Sequence, residues 1–373
     1  MIYTIRKYRE LPLSTDNYLQ SRVICFLRFP LIVGVLFIHS QISLSIVGGA
    51  SNIETPIFNI VRDLFSHILP SVSVPLFFIM SGYLFFYNTS FSKECYIAKL
   101  KKRLRTLLIP YLFWNGLYLL FNIAVVYIPT LSLMFKGSPV SLEYAISAFW
   151  GCKEDADYMY PIAYQFWFIR DLIVMVFLSP IFYVIIKYAK EYALVSFALL
   201  WVLDFSIPYL GMRGMSTDAI FFFMLGSWFS INQKNLVTEF RKIAPIAYFV
   251  YPLCIIGDIC TIHEWYNIYI HNIGIIVGIV FYFNLAIYIV QRTRLNNLAF
   301  WSSASFFVFA IHDPWILTQV RKVIIAGCHP TSDIALIFFY FLSVLITVML
   351  AVVIYIVLQR ITPRFTALIT GSR

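Results

Sequence analysis

Two ionisable residues interrupt an apolar stretch near the start of the chain. The segment from Arg22 to Ser40 is almost wholly apolar and long enough to cross a bilayer, yet it contains Arg28 and His39. These residues lie eleven positions apart, which places them on one face of a helix, roughly 16 Å apart along its axis. Ionisable groups in membrane helices usually face the protein interior and mark functional paths. The alternative is that Arg28 extends to the inner membrane surface and His39 only ends the helix.

Further polar residues are expected at the outer depth of His39. Arg170 and Asp171 enter the membrane from the outer side at a similar depth, and His312 lies somewhat deeper. A histidine beside acids suits proton transfer on a hydroxyl, although Arg170 and Asp171 could equally neutralise charges on neighbouring helices. The remaining carboxylates of this layer are close enough to the outer helix ends to be ordinary interface residues: Asp204, Asp218 and Asp258.

The inner depth has a different chemistry. Ser81 and Gly82 fall near the depth of Arg28, and the basic residues Lys102 and Arg105 lie just beneath them. Cations beside small residues suit a phosphate-bearing ligand from the cytosol. Ser81 and Gly82 could instead be a helix-packing notch, since small residues let membrane helices approach closely.

The elements that position these residues are predicted to be transmembrane helices. The chain has 373 residues, 61% hydrophobic and only 12% charged, which excludes an ordinary soluble domain. We predict an all-α integral membrane protein in one domain (residues 1–373) with about ten spans. The predicted spans are 22–44, 66–88, 107–128, 165–187, 192–209, 215–232, 244–261, 271–291, 300–320 and 334–359.

The placement of Lys and Arg predicts the orientation of these spans. With both termini in the cytoplasm, 20 of the 28 Lys and Arg residues fall on the inner side and 6 on the outer side, as the positive-inside rule expects. The net charge of +10 therefore reflects topology, and no nucleic-acid partner is predicted. Residues 89–106 form a basic amphipathic inner loop, and residues 129–164 form a long outer loop. No secretory signal peptide is recognised, so the protein is expected to stay in the plasma membrane.

Cysteine and histidine usage predicts no metal site. The six cysteines are scattered and form no CxxC pair, so neither a zinc site nor a disulfide framework is expected. Four histidines fall in loops or at span ends and are assigned no function: His67, His263, His271 and His329.

Five stretches together resemble the acyltransferase-3 family of membrane enzymes, which acylate cell-envelope sugars. Arg28 and His39, with ten residues between them, are similar to the family hallmark of the first helix. The family's FFxxSG motif and its pair of basic residues, here with lysine replacing the first arginine, also have matches. The FFxxSG motif matches Phe77, Phe78, Ser81 and Gly82, and the basic pair matches Lys102 and Arg105. Two further stretches are also similar to the family: Trp167, Phe168, Arg170 and Asp171, and Ser305 to His312.

The resemblance implies transfer of an acyl group, usually acetyl, from cytosolic acyl-CoA to a hydroxyl of an envelope or lipid-linked saccharide. Arg28 and His39 are the essential pair in such enzymes. His39 would act as general base, and the alternative is that it accepts the acyl group briefly itself. Arg170 or Asp171 could orient His39 or the saccharide. The phosphates of acetyl-CoA, a substrate rather than a resident cofactor, would bind a cluster formed by Lys102, Arg103 and Arg105, and its pantetheine arm would pass Arg28, Ser81 and Gly82.

Two other functions remain open from the residues alone. A transporter of a small polar solute also fits helices with buried charges, although no paired broken helices in matching halves are recognisable. An acyltransferase that modifies an amino sugar or a small cytosolic molecule is the other alternative.

Overall fold

Helices make up most of the described chain. The computed structural model describes residues 15–40, 55–88, 91–132, 135, 137–155, 158–204, 214–293 and 295–371. In chain order the α-helices are α1 (Thr15–Ile38), α2 (Pro56–Asp63), α3 (Ser73–Phe86), α4 (Lys93–Arg103), α5 (Ile109–Tyr127), α6 (Pro129–Ser132), α7 (Leu142–Ser147), α8 (Trp167–Phe177), α9 (Ser179–Val202), α10 (Thr217–Ile231), α11 (Leu236–Lys242), α12 (Ala244–Thr261), α13 (Asn267–Arg292), α14 (Leu298–Ile311), α15 (Leu317–Cys328), α16 (Asp333–Ile361) and α17 (Pro363–Ile369).

Short segments of other types join these helices. Single π or 3-10 turns cover Leu64–Ile68, Leu69–Val72, Leu104–Leu108, Tyr164–Phe166 and His312–Ile316. The strands β1 (Lys153–Asp155) and β2 (Tyr158–Tyr160) pair antiparallel. The chain is therefore helical as predicted, apart from this small hairpin in the predicted outer loop.

The helices include several that could cross a membrane. Among the described residues, six are long and apolar enough, and one bent pair would raise the number to seven. They are Asp16–Ile38, Pro56–Phe86, Lys93–Tyr127, Ala244–Thr261, Asn267–Arg292 and Asp333–Ile361. These support a multi-pass membrane protein, while the count of about ten and the cytoplasmic termini stay predictions. Residues 41–44 and 205–209, which end two predicted spans, lie outside the described residues.

Two predicted spans are interrupted, so the prediction of continuous helices at 165–187 and 300–320 is wrong. The first breaks between α8 and α9, which meet at a bend of 62°, because Pro180 cannot continue a helix but suits the first turn of a new one. The second breaks at Asp313, whose backbone is extended (φ −137°, ψ 143°). Proline disfavours helical geometry in the residue before it, and Pro314 follows Asp313.

The predicted loops contain more helix than expected. The basic stretch predicted as loop 89–106 is helical from Lys93 and continues through Leu104–Leu108 into α5 as one segment of 35 residues. The predicted outer loop 129–164 holds α6, α7 and the hairpin; its Asp157 lies outside the described residues.

Helices α3 and α10 form a very close crossing at the centre of the fold. A Cβ added to Gly82 would overlap the carbonyl oxygen of Phe223, and one added to Gly226 would overlap the carbonyl oxygen of Ile79. Each glycine thus allows a backbone to approach where any side chain would separate the helices. Helix α1 packs against α3, α13 and α14, which places one face of the Arg28–His39 helix inside the bundle.

Candidate active site

His39 lies at the point where α1 ends, beside the break that follows α14. Its backbone N–H still donates to Val35, one turn back, and its own carbonyl oxygen accepts from Arg321 on α15 at 3.1 Å. The broken backbone at Asp313 is hydrogen-bonded inside the protein, since its carbonyl oxygen accepts from Tyr118 and from Gln165 Nε2 at 2.8 Å. Irregular backbone at membrane depth requires such internal partners.

A tyrosine hydroxyl links His39 to a carboxylate. Tyr164 donates its hydroxyl hydrogen to Asp313 Oδ2 at 2.5 Å, and the same oxygen lies 3.2 Å from His39 Nδ1. Because that hydrogen is committed to the carboxylate, the hydroxyl oxygen can only accept from His39, whose Nδ1 must then carry the proton. Thr318 donates to the other oxygen of Asp313. The network therefore favours the tautomer of His39 with a lone pair on Nε2, the form that a general base requires.

A second imidazole lies beside the first. His312 is fully buried, and its ring centroid is 5.2 Å from that of His39. Its Nδ1 lies 2.6 Å from the carbonyl oxygen of Phe309, which requires a proton on Nδ1 and leaves a lone pair on Nε2. This Nε2 is buried and has no hydrogen-bond partner among the residues that the structure describes. A buried acceptor of this kind is costly unless a bound molecule supplies a donor.

A cavity of about 80 Å³ opens along α1 up to His39. Its wall on α1 is formed by Ile32, Val35, Ile38 and His39, which lie on one face of the helix. Gln165 also lines it, and the buried Oε1 of this residue has no hydrogen-bond partner among the described residues. The cavity is thus lined mainly by apolar side chains and reaches the imidazole of His39.

Arg28 lies one helical turn before the start of this cavity wall. Its guanidinium donates to Ser302 on α14 at 3.1 Å, and the side chain is half-buried. Arg103 on α4 is close enough to interact electrostatically with it. Two guanidinium groups repel each other unless an anion compensates them, so the pair suits a phosphate or another anionic ligand.

The other predicted ligands of the donor differ in accessibility. Lys102 and Arg105 are exposed, Arg103 and Ser81 are half-buried, and Gly82 is buried. The space beside Gly82 is filled by the backbone of Phe223. We therefore assign Gly82 to the helix crossing and do not keep it as a ligand of the pantetheine arm.

Arg170 and Asp171 form a buried ion pair. The Nε of Arg170 lies 3.1 Å from Oδ1 of Asp171, and both side chains are almost fully buried. Arg170 donates to the carbonyl oxygen of Trp150, and Oδ2 of Asp171 accepts from the backbone N–H of Ser216 at 3.1 Å. These contacts join α8 to the outer loop and to the start of α10. The two residues thus pair with each other on one helix, and their participation in catalysis stays a prediction.

Sequence reasoning missed several residues of this site. His39 contacts Tyr164 and Arg321, and Tyr164 and Thr318 hold Asp313. The spacing of residues in the sequence predicts none of these four as part of the site. One signal was available, because an Asp-Pro pair directly after an apolar run favours a break. That break at Asp313 is what brings the carboxylate toward His39.

Comparison with known proteins supports an enzyme. A family described as "Acyltransferase domain" matches residues 24–356. The chain is also 24% identical over 367 residues to the succinoglycan biosynthesis protein ExoH of Rhizobium meliloti, covering 95% of this chain and 92% of that protein. No solved structure matches the chain significantly.

Proposed function

The chain belongs to the acyltransferase-3 family, and from that premise we propose that it moves an acyl group, an acetyl group in the first instance, from cytosolic acyl-CoA to a hydroxyl of an envelope or lipid-linked saccharide. The family match covers residues 24–356, and this favours an acyltransferase over the transporter alternative. The proposed location is the plasma membrane, the inner membrane of a bacterial cell.

The hydrogen-bonded chain from Asp313 through Tyr164 to His39 carries this proposal. It holds His39 with its Nδ1 toward Tyr164 at 3.2 Å and leaves Nε2 to receive a proton. The arrangement follows the logic of catalytic triads, in which a carboxylate sets the tautomer and orientation of the histidine. Here a tyrosine hydroxyl lies between the two.

The proposed reaction needs only the two substrates and His39. The saccharide hydroxyl gives its proton to Nε2 of His39 while its oxygen attacks the thioester carbonyl carbon. The C–S bond then breaks, and the CoA sulfur takes the proton back from His39, which leaves an ester and free CoA. Direct transfer of this kind needs no acyl-imidazole intermediate.

The donor is proposed to enter from the cationic end of α1. The exposed Lys102 and Arg105 and the half-buried Arg103 suit the CoA phosphates. The pantetheine arm would then pass Arg28 and Ser81 and follow the cavity wall that ends at His39. That wall spans Ile32 to His39, about 10 Å at the rise of an α-helix, and Arg28 adds one further turn.

The printed name of the relative supports a polysaccharide or its precursor as the acyl acceptor. That protein is named for succinoglycan biosynthesis. Oε1 of Gln165 and Nε2 of His312, which have no hydrogen-bond partner within the described segments, suit hydroxyl donors of a sugar. A lipid-linked oligosaccharide would reach the site within the membrane.

Labelled acetyl-CoA tests the proposal directly. Purified protein in nanodiscs should release CoA and label a lipid-linked oligosaccharide, and His39→Ala should abolish transfer while acyl-CoA still binds. The exposed His329→Ala serves as the control and should keep full activity. Transfer at a near-normal rate by the His39→Ala protein would disprove the assignment of the base, and saccharide movement without CoA release would favour a transporter.

A further inference from the structure

Three side chains outside the proposed active site form a cluster suited to a metal ion. They are His67 in the π turn after α2, Asp258 near the end of α12 and His271 near the start of α13. One ligand atom from each lies within 4.8 Å of the others. From this geometry we propose that they bind one divalent transition-metal ion, a site that is independent of the proposed acyl transfer.

The carboxylate of this cluster is buried, and either a protonated His271 or a bound metal ion could compensate its charge. Asp258 is only 2% exposed, and its Oδ1 accepts from Asn267 at 2.8 Å while its Oδ2 lies 2.7 Å from His271 Nδ1. With His271 neutral, the group buries a full negative charge, which is unfavourable without a cation. A divalent ion supplies the missing charge.

The two imidazoles of the cluster lie side by side. The rings of His67 and His271 stack with centroids 4.4 Å apart and an interplanar angle of 12°. Both rings cannot be protonated at this distance without strong repulsion, whereas neutral imidazoles are good metal ligands. Tetrahedral bonds of about 2.1 Å place neighbouring ligand atoms roughly 3.4 Å apart. A metal ion lies in the plane of each imidazole that binds it, so the exposed ring of His67 would have to turn out of the stack before both rings bind one ion.

Two histidines and one carboxylate favour particular metals. Imidazole and carboxylate donors suit Zn²⁺ or Co²⁺ more than Ca²⁺ or Mg²⁺, which prefer oxygen ligands only. His67 is exposed, so a fourth position for water remains open. Because the ligands come from three helices, the ion would hold the α12–α13 hairpin to the segment before α3.

Metal content and thermal stability test the proposal on protein purified without a histidine tag. We expect about one Zn²⁺ per chain after equilibration with ZnCl₂ and removal of excess, together with a higher melting temperature that EDTA reverses. Loss of an outer-shell partner already weakens metal binding about 10–100-fold, so His67→Ala and His271→Ala should lose more than that. Co²⁺ should give visible absorption bands in the wild type and not in either variant.

A matched control lies in the turn between the same two helices. His263 is exposed there, and His263→Ala should bind Zn²⁺ as the wild type does. The exposed His67→Ala protein keeps the Asp258–His271 contact, so it remains informative even if His271→Ala does not fold. Absence of stoichiometric Zn²⁺, or an equal Zn²⁺ effect on melting in wild type and His67→Ala, would reduce the cluster to an ion pair and overturn the proposal.

Discussion

The imidazole rings of His39 and His312 lie with their centroids 5.2 Å apart, although they belong to opposite ends of the chain. The contact exists because α1 packs against α14 and each histidine directly follows the last residue of its helix, Ile38 and Ile311. His39 is hydrogen-bonded to Tyr164, whereas Nε2 of His312 has no hydrogen-bond partner in the described part of the chain. We therefore predict different tasks for the two rings in the proposed reaction: His39 takes the proton, and His312 accepts a hydrogen bond from the saccharide hydroxyl.

Replacement of His312 tests this division. His312→Phe removes the unused acceptor and should lower kcat at least about 10–100-fold, in the range of a lost proton-transfer or orienting group. His312→Gln keeps an acceptor near the position of Nε2 and should recover part of the loss. Labelled acetyl transfer gives kcat, and the KM for acyl-CoA should not change. A fully active His312→Phe protein would show that the ring serves packing alone; His263→Ala is the matched control.

The hydrogen-bonded chain behind His39 predicts a strongly non-additive pair of variants. Tyr164→Phe breaks the link between His39 and the carboxylate, and Asp313→Asn removes the charge while it keeps the shape. Each should lower kcat by roughly two to four orders of magnitude, because the wrong tautomer of a catalytic histidine cannot accept the proton. The double variant should be little worse than either single one, since both remove the same function. Additive losses would contradict a shared path through Tyr164.

The sequence predicts the helical fold and the site unequally. Apolar length and the alternation of Lys and Arg indicate membrane helices, because both depend on local composition. Breaks within those helices are harder to predict, and they decide the site here. The helix direction changes at Pro180 and again at Pro314. Hydropathy averaged over a window of about 19 residues does not reveal such breaks.

The partners of the predicted residues are also not predictable from spacing. The eleven-residue separation of Arg28 and His39 correctly implies a shared helix face, since helical periodicity fixes it. That Arg28 meets Ser302, or that Tyr164 lies between His39 and Asp313, depends on contacts between distant segments. Depth alone placed Arg170 and Asp171 near His39, whereas their hydrogen bonds with Trp150 and Ser216 show how they join the surrounding segments.

The exposed cations on the predicted inner side should affect donor binding rather than chemistry. Lys102→Ala and Arg105→Ala should each raise the KM for acetyl-CoA about 3–10-fold and leave kcat at saturating donor unchanged. The reason is that a phosphate contact remote from the thioester stabilises the bound substrate and the transition state equally. The effect should shrink as salt increases. Arg292→Ala, which removes another exposed cation that stacks on Tyr288, is the control. A fall in kcat without a change in KM would place these residues at the reacting group instead.

The close crossing of α3 and α10 predicts that replacing glycine by alanine destabilises the protein at Gly82 but not at Gly116. Gly82→Ala forces a methyl group into the backbone of Phe223 and should destabilise the protein by roughly 1–3 kcal/mol, the usual cost of overpacking. A methyl group added by Gly116→Ala on α5 meets no atom of the described residues within 4 Å. This substitution should be neutral or stabilising by up to about 1 kcal/mol, because alanine favours the helix more than glycine does. Thermal unfolding in the same detergent compares them. If Gly82→Ala melts like the wild type but has a raised KM for acetyl-CoA, the residue contacts the donor after all and the packing assignment fails.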